Sequence, residues 1–220
     1  MNDPRQALVR ARLYLVCDVL PAARLEEALR GGVDIVQLRM KDAPDADIVV
    51  AARRYAELCA AHGVLFILND RPDLVVAAGA DGVHVGQDDG SVDDARRLVG
   101  ARRLVGLSTH SPEQIDAAAR HPEIDYIGVG PVHATPTKPG RPAVGLELVR
   151  YAAARAATPF FAIGGIDPGN VTSVREAGAT RIAVVRALTQ AEDPGAVARE
   201  LRAVVAPSAD SERDSVGAAR

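Results

Sequence analysis

The sequence predicts an α/β fold in which eight parallel strands close into a single (β/α)8 TIM barrel. Three observations lead to this prediction. Short apolar runs alternate with longer amphipathic stretches from one end of the chain to the other. About eight such pairs fit into roughly 200 residues, which is the usual pattern of this barrel. No glycine-rich dinucleotide fingerprint follows the first strand, which argues against an open doubly wound sheet, the main alternative.

Each predicted strand is a short run rich in Val, Ile, Leu or Phe. The strands occupy residues 13–18, 34–39, 65–69, 82–86, 103–109, 126–131, 159–165 and 181–186. Helices are predicted between them, near residues 21–30, 44–61, 72–78, 91–99, 111–120, 145–156, 168–177 and 193–205. Ser111 and Asp167 each stand before a proline, which is a common helix start, and Gly63 stands where a helix should end. We expect one barrel domain over residues 1–206 and a disordered tail over the polar stretch 207–220.

Composition excludes several classes of function. Apolar residues make up 48% of the chain, and 26 basic against 29 acidic residues give a net charge of −3. With aromatic residues at only 3%, neither nucleic acid nor an anionic membrane has a surface to bind. No apolar run of about 18 residues and no signal-peptide pattern is present, so we expect a cytoplasmic protein. Cys17 and Cys59 are too few for a disulfide framework.

The second predicted strand carries three polar residues on one face. Gln37, Arg39 and Lys41 alternate with apolar residues, including Met40, that would pack against helices. The polar face would point into the mouth of the barrel, where active sites of this fold lie. Burying these side chains together is costly unless acceptors meet them. Nearby aspartates would be one set of acceptors, but a diphosphate, with its several oxygens, is the interpretation we favour.

Acidic residues follow the next two strands. Asn69 and Asp70 end the third strand, and the fourth leads to Asp88 and Asp89. Mg²⁺ is typically held by one or two carboxylates together with phosphate oxygens of the substrate. Beside the cationic second strand, these carboxylates predict a magnesium-assisted diphosphate site.

A second anion site is predicted at the last two strands. Gly164 and Gly165 end strand seven and Arg186 ends strand eight, where barrels of this kind often bind phosphate through backbone N–H groups. Glycine leaves room for such an approach. The proline-rich loop after strand six adds Lys138, one of only two lysines in the chain. Two anion sites in one mouth suit an enzyme that joins a diphosphate-activated substrate to a phosphate-bearing acceptor.

The histidines give a weaker signal. His84 lies inside strand four, where a hydrogen-bonded core role is favoured over catalysis, and the roles of His110 and His133 are left open. Neither cysteine has a matched histidine nearby, so no nucleophilic triad is predicted.

Seven ordered motifs together resemble the thiamine phosphate synthase family. They cover almost the whole chain except the tail, and they are QLRMK (37–41), LNDRPDL (68–74), ADGVHVGQDD (80–89), GLSTHS (106–111), GVGPVHATPTK (128–138), AIGGI (162–166) and VVRAL (184–188). The resemblance implies a transferase of thiamine biosynthesis. It would couple 4-amino-2-methyl-5-hydroxymethylpyrimidine diphosphate to 4-methyl-5-(2-phosphoethyl)thiazole, with Mg²⁺ as cofactor and a homo-oligomer as a possible assembly.

The same resemblance assigns site residues. Contacts to the pyrimidine diphosphate would come from Gln37, Arg39, Lys41, Asn69, Ser108 and Lys138, of which Arg39, Lys41, Ser108 and Lys138 would be catalytic. Asp70 and Asp89 would hold Mg²⁺. The thiazole phosphate would lie against Thr135, Thr137, Gly165, Val185 and Arg186. Many relatives have Ser where this chain has Arg186, which leaves the role of that side chain open.

The implied mechanism is a dissociative substitution in which diphosphate departs before the thiazole nitrogen attacks. Two alternatives stay open. A thiazole tautomerase-like relative would share the barrel but would have no need of the diphosphate site. A non-catalytic sensor of thiazole or thiamine phosphate would keep the phosphate site and would have no reason to keep metal ligands.

Overall fold

The computed structural model describes residues 3–135 and 142–206, and within them the predicted eight-stranded parallel barrel is confirmed. The strands are β1 (Leu13–Cys17), β2 (Ile35–Leu38), β3 (Leu65–Asn69), β4 (Gly82–Val85), β5 (Leu104–Thr109), β6 (Tyr126–Val129), β7 (Phe160–Ile163) and β8 (Ile182–Val184). Consecutive strands are neighbours in the sheet. The ring closes where β1 pairs with β8, with Leu13 opposite Ile182.

One helix precedes the first strand, and the others follow the strands and form the outer layer. They are α1 (Pro4–Arg10), α2 (Ala22–Arg30), α3 (Asp45–His62), α4 (Val75–Ala78), α5 (Val92–Val99), α6 (Pro112–Ala119), α7 (Gly145–Arg155), α8 (Val171–Glu176), α9 (Arg186–Thr189) and α10 (Pro194–Val205). Ser111 caps α6, since its hydroxyl accepts a hydrogen bond from Gln114 N at 3.3 Å. Gly63 ends α3 at a φ of 67°, a left-handed conformation that favours glycine. Both boundaries agree with the sequence prediction.

The predicted helix start at Asp167 is wrong. The Asp167 side chain instead accepts a hydrogen bond from Gly169 N at 2.9 Å, which makes a turn, and α8 begins later, at Val171. The end predicted for the last strand also differs. β8 ends at Val184, and Arg186 is the first residue of the short helix α9.

Helix α1 precedes the barrel and was not predicted. The Asp3 carboxylate accepts a hydrogen bond from Arg5 N at 2.9 Å, and Pro4 occupies the first turn, so the helix has an ordinary start. Leu8 and Ala11 pack against the side chains inside the barrel. The helix thus covers the end of the barrel that lies opposite the mouth.

Two apolar cores follow from the alternation of strand side chains. Outward residues such as Val36 and Leu38 pack under the helices, and Met40 packs against the same core, as predicted. Inward residues such as Ile35 fill the interior. Polar side chains of the inward set, such as Gln37, are therefore buried inside the barrel.

None of the helices in residues 3–135 and 142–206 is long and apolar enough to span a bilayer. The predicted tail, residues 207–220, lies outside the described residues and stays a prediction.

Candidate active site

A cavity of about 310 Å³ opens at the carboxyl ends of the strands, the position predicted for the active site. It reaches from the rim down to side chains inside the barrel. Eight residues predicted to bind substrate line it, and they are Gln37, Arg39, Asn69, Ser108, Thr135, Gly165, Val185 and Arg186. The structure therefore gathers residues from both ends of the sequence around one space.

Three aromatic rings form the floor of the cavity. Tyr14, Tyr126 and Phe161 meet edge to face, with ring centroids 5.3 to 6.0 Å apart. None of the three was predicted to be a site residue. The sequence did offer a signal for this floor. The chain has only four Tyr and three Phe, and Tyr14, Tyr126 and Phe161 each lie in a strand, where an inward side chain can reach the barrel interior.

Hydrogen bonds connect this floor to two predicted substrate-binding residues. Gln37 Nε2 donates to Tyr14 Oη at 2.6 Å, and the hydroxyls of Tyr14 and Tyr126 are 3.0 Å apart. Tyr126 Oη lies 3.3 Å from His84 Nδ1, and His84 Nε2 lies 3.0 Å from Ser108 Oγ. His84 is hydrogen-bonded, as expected, but it is only partly buried and lines the cavity, so the choice between a core role and catalysis stays open.

One side of the mouth carries paired carboxylates. Asp70 and Asp89 lie close enough for their side chains to interact, and Asn69 Nδ2 donates to Asp70 Oδ2. Burial raises the pKa of Asp70, the charge of Asp89 raises it further, and the charge of Arg39 opposes the rise. Asp89 is itself held in place, since its carboxylate accepts a hydrogen bond from Gly86 N at 3.0 Å.

This pair fits the donor set of a hard divalent cation. Two carboxylates are brought together at the rim of a cavity, and neither lines the apolar interior. Among the described residues, no group of three or more His, Cys, Asp or Glu side chains could hold a metal. A cation here would therefore complete its coordination with oxygens of a substrate and water, as Mg²⁺ commonly does.

The three polar residues of strand two have different positions. Gln37 is buried inside the barrel, Arg39 is half-buried at the cavity wall, and Lys41 is exposed and outside the cavity lining. β2 ends at Leu38, so the strand alternation that would turn Lys41 inward does not continue to that residue.

The opposite side of the mouth is formed by the loops after β7 and β8. Gly164 and Gly165 have φ of 109° and 63°, which a side chain would strain. A Cβ on Gly164 would lie 2.5 Å from Pro131 Cα, and one on Gly165 would lie 2.8 Å from His133 Cβ. The glycines therefore also let the loop after β6 pack closely against this edge.

His110 is a further wall residue that the sequence left open. Its Nδ1 lies 2.5 Å from the carbonyl oxygen of Gly130, and the ring lines the cavity.

Burial raises the pKa of both Cys17 and Cys59 to about 12, so neither is a thiolate at neutral pH. Thr137 and Lys138 lie outside the described residues and stay predictions.

A family model and two relatives point to the same protein family. A family model described as thiamine monophosphate synthase matches residues 13–188. A thiamine-phosphate synthase from Nostoc punctiforme is 50% identical over 204 residues, which are 91% of this chain and 57% of that protein. One from Acidothermus cellulolyticus is 48% identical over 212 residues, 93% of this chain and 100% of its own length. This chain thus spans little more than half of the first relative and all of the second.

A solved structure extends the similarity to three dimensions. The thiamine phosphate pyrophosphorylase from Pyrococcus furiosus superimposes with a TM-score of 0.81 at 31% identity, covering 92% of this chain and 97% of that one. Such a match supports the barrel fold.

Proposed function

Because this chain belongs to the thiamine monophosphate synthase family, we propose that it joins the two substrates that the family resemblance implies. They are 4-amino-2-methyl-5-hydroxymethylpyrimidine diphosphate and 4-methyl-5-(2-phosphoethyl)thiazole, and the products are thiamine phosphate and diphosphate. One observation carries the proposal. A single cavity has Arg39 and the Asp70–Asp89 pair near one side of its mouth and Gly165 and Arg186 on another.

The reaction is a substitution at the methylene carbon of the pyrimidine. The bond from this carbon to the diphosphate oxygen breaks, and the oxygen keeps the electron pair. The lone pair of the thiazole nitrogen then forms the new carbon–nitrogen bond. The nitrogen carries no proton before attack, so no general base is required, and charge stabilisation on the leaving group is the main demand on the protein.

Residues of the cavity meet this demand in separate ways. Arg39 would form charge-assisted hydrogen bonds with the departing diphosphate, as would Lys41 and Lys138. Asp70 and Asp89 would hold Mg²⁺, which when bound neutralises charge on the diphosphate. Ser108 and Gln37 would hydrogen-bond the pyrimidine above the aromatic floor, which excludes water from beneath it.

The acceptor phosphate would bind on the other side. Loops after the last two strands offer backbone N–H groups at Gly165, Val185 and Arg186, and Thr135 adds a hydroxyl. Arg186 is exposed, so its side chain can add charge to this site without being buried there. A cytoplasmic location and a homo-oligomer stay predictions.

The test uses the purified chain with both substrates, with and without Mg²⁺. Thiamine phosphate and diphosphate should appear in equal amounts, and removal of the metal by a chelator should abolish both. A tautomerase-like enzyme would change the thiazole phosphate without releasing diphosphate. A sensor would bind the thiazole phosphate with no turnover. Either of these two results would overturn the proposal.

A further inference from the structure

A continuous chain of five side chains runs beneath the cavity. It begins at Gln37, passes through Tyr14, Tyr126 and His84, and ends at Ser108, with successive polar atoms 2.6, 3.0, 3.3 and 3.0 Å apart. Both end residues are ones that the proposed function places against the pyrimidine. The proposed function gives the polar groups of the three middle residues no role, although burying so many polar groups is costly unless their arrangement is used.

The protons in this chain can be counted. Burial raises the pKa of Tyr14 and Tyr126 above the ordinary phenol value, so each keeps its one proton. Gln37 Nε2 donates to Tyr14, so the Tyr14 proton is available for its other partner in the chain, the Tyr126 hydroxyl. Tyr126 can then donate its own proton to His84 Nδ1.

This count favours one tautomer of His84. A neutral imidazole has one donor and one acceptor nitrogen, so a proton received at Nδ1 leaves the ring proton on Nε2. In this tautomer Nε2 would donate to Ser108 Oγ, which lies 3.0 Å away. The Ser108 oxygen would then accept from the ring, and the Ser108 proton would be available to a group in the cavity, which Ser108 lines.

We propose that His84 is a positioning residue which, together with Tyr126, holds Ser108 as a hydrogen-bond donor toward the substrate. The inference rests on the proposed function, since that function supplies the ligand. It also assigns a polarity to Gln37. Because its Nε2 is used by Tyr14, its Oε1 is the atom left to accept a hydrogen bond from the ligand. The site would thus present one donor and one acceptor to an amino-substituted nitrogen heterocycle.

The opposite direction of these hydrogen bonds would predict a different role for Ser108. If every hydrogen bond in the chain ran the other way, Ser108 would donate to His84 Nε2, and the pair would resemble an activated serine nucleophile. The proposed substitution has no use for such a nucleophile.

Gly106 leaves the space that the contact between Tyr126 and His84 requires. A Cβ there would lie 2.2 Å from Tyr126 Cζ and 2.6 Å from His84 Nδ1. The strand therefore carries no side chain at the point where these two groups meet. A side chain at position 106 would collide with both groups and would push the Tyr126 ring and the His84 ring apart.

The first test measures the tautomer in the ligand-free protein. With ¹⁵N-labelled histidine, the ring signals of His84 can be assigned by their loss in His84→Gln. We expect a neutral ring with its proton on Nε2, and a mixture of tautomers in Tyr126→Phe. A ring protonated on Nδ1 in the wild type would overturn the inference. This result does not depend on turnover, so it stands even if the chain fails to make thiamine phosphate.

The second test is a double-mutant cycle on kcat/KM with Tyr126→Phe and Ser108→Ala. Tyr126→Phe alone should lower kcat/KM up to about tenfold, the effect of one neutral hydrogen bond, and should have little further effect once Ser108 is Ala. An equal loss in both backgrounds would show that the Tyr126 hydroxyl acts independently of Ser108, and would overturn the inference.

A rescue comparison completes the design. His84→Gln keeps an N–H donor near the position of Nε2, whereas His84→Leu keeps only bulk. Circular dichroism and thermal melts check that each variant folds. We expect His84→Gln to retain at least about fivefold more activity than His84→Leu, within the range of one hydrogen bond. Equal activities in two folded variants would contradict the role given to His84.

Discussion

At the scale of single residues, the site contains groups that would be unfavourable elsewhere. Asp70 has a φ of 58°, in the left-handed region that side chains other than those of Asn and Asp rarely adopt. Its carboxyl is partly buried beside a second one, and burial and that neighbouring charge both raise its pKa. Strain and like charge that persist at a cavity rim are typical of a functional site, where stability is lost in favour of binding.

Asp70→Asn should therefore stabilise the metal-free protein. Asparagine tolerates the same backbone conformation and removes the charge facing Asp89. We expect a rise in melting temperature of roughly 2–4 °C in the presence of a chelator, as for a change near 1 kcal/mol in a domain of this size. The gain should be largest above the raised pKa of Asp70, where the wild-type carboxyl is ionised, and should shrink as the pH falls below it. A lower melting temperature at neutral pH would contradict the repulsion.

Asp89→Asn should reduce turnover rather than folding. The amide oxygen can still accept from Gly86 N, but the charge proposed to hold Mg²⁺ is lost. Loss of one such stabilising contact is typically worth about 10²–10³ in kcat. Asp93→Asn, an exposed change in the next helix, is the matched control and should leave kcat unchanged. Full activity of Asp89→Asn at limiting Mg²⁺ would exclude the role.

Much of the site could be predicted from residue spacing, and the remainder depended on contacts across the barrel. Strand alternation was sufficient to bury Gln37 and to turn Met40 toward the helices. It could not show that Tyr14 of β1 meets Tyr126 of β6, because these strands are not neighbours and touch only through the barrel interior. It also extended the alternation of strand two as far as Lys41, although β2 ends at Leu38 and Lys41 lies beyond its last paired residue.

At the scale of elements, aspartates directly before β2, β4 and β6 hold neighbouring strands in register. Asp34 accepts from Leu13 N at 3.0 Å, Asp81 from Phe66 N at 2.9 Å, and Asp125 from Val105 N at 2.8 Å. Each therefore satisfies a backbone donor at the start of the preceding strand, where the ladder provides no partner. Helix α1 adds to this end of the barrel, since Arg5 Nε donates to Asp125 at 2.8 Å.

Asp125→Ala should destabilise the barrel without altering its chemistry. Asp125 also pairs with Arg96 at 2.7 Å, and both side chains are about nine-tenths buried. Removing one partner of a buried pair typically costs about 3–5 kcal/mol. Urea denaturation should show this loss, while kcat measured well below the melting temperature should match the wild type. Asp93→Ala serves as the exposed control, and an equal effect of both changes would contradict the role of Asp125.

Elements were easiest to predict where caps and periodicity agreed. Ser111–Pro112 gave the start of α6 correctly because the serine caps and proline fits the first turn. Helix α1 carries the same kind of signal at Asp3 and Pro4, but it lies before the first strand, outside the strand–helix repeat. Helix α9 has only four residues, too few for a helical period to be distinguished from the end of a strand.

At the scale of the whole molecule, the two ends of the described chain complete one closed structure. β1 pairs with β8, and α10 packs beside α2 so closely that a Cβ on Gly31 would lie 2.5 Å from Gly195 O. Leu201 and Val205 on α10 are fully buried. The last helix is therefore a part of the barrel wall, and its final turn still contributes to the apolar core.

Ending the chain after Ala206 should consequently leave both stability and activity intact. The backbone N–H of Ala206 still donates to Arg202 O at 2.9 Å, so the end of α10 keeps its last hydrogen bond. Ending it after Arg199 instead removes Leu201 and Val205, and burial of two such side chains is worth roughly 3–6 kcal/mol. Thermal unfolding and kcat/KM should thus match the full chain for the longer truncation and collapse for the shorter one. A large loss on removing residues 207–220 alone would mean that the barrel core depends on contacts made beyond α10.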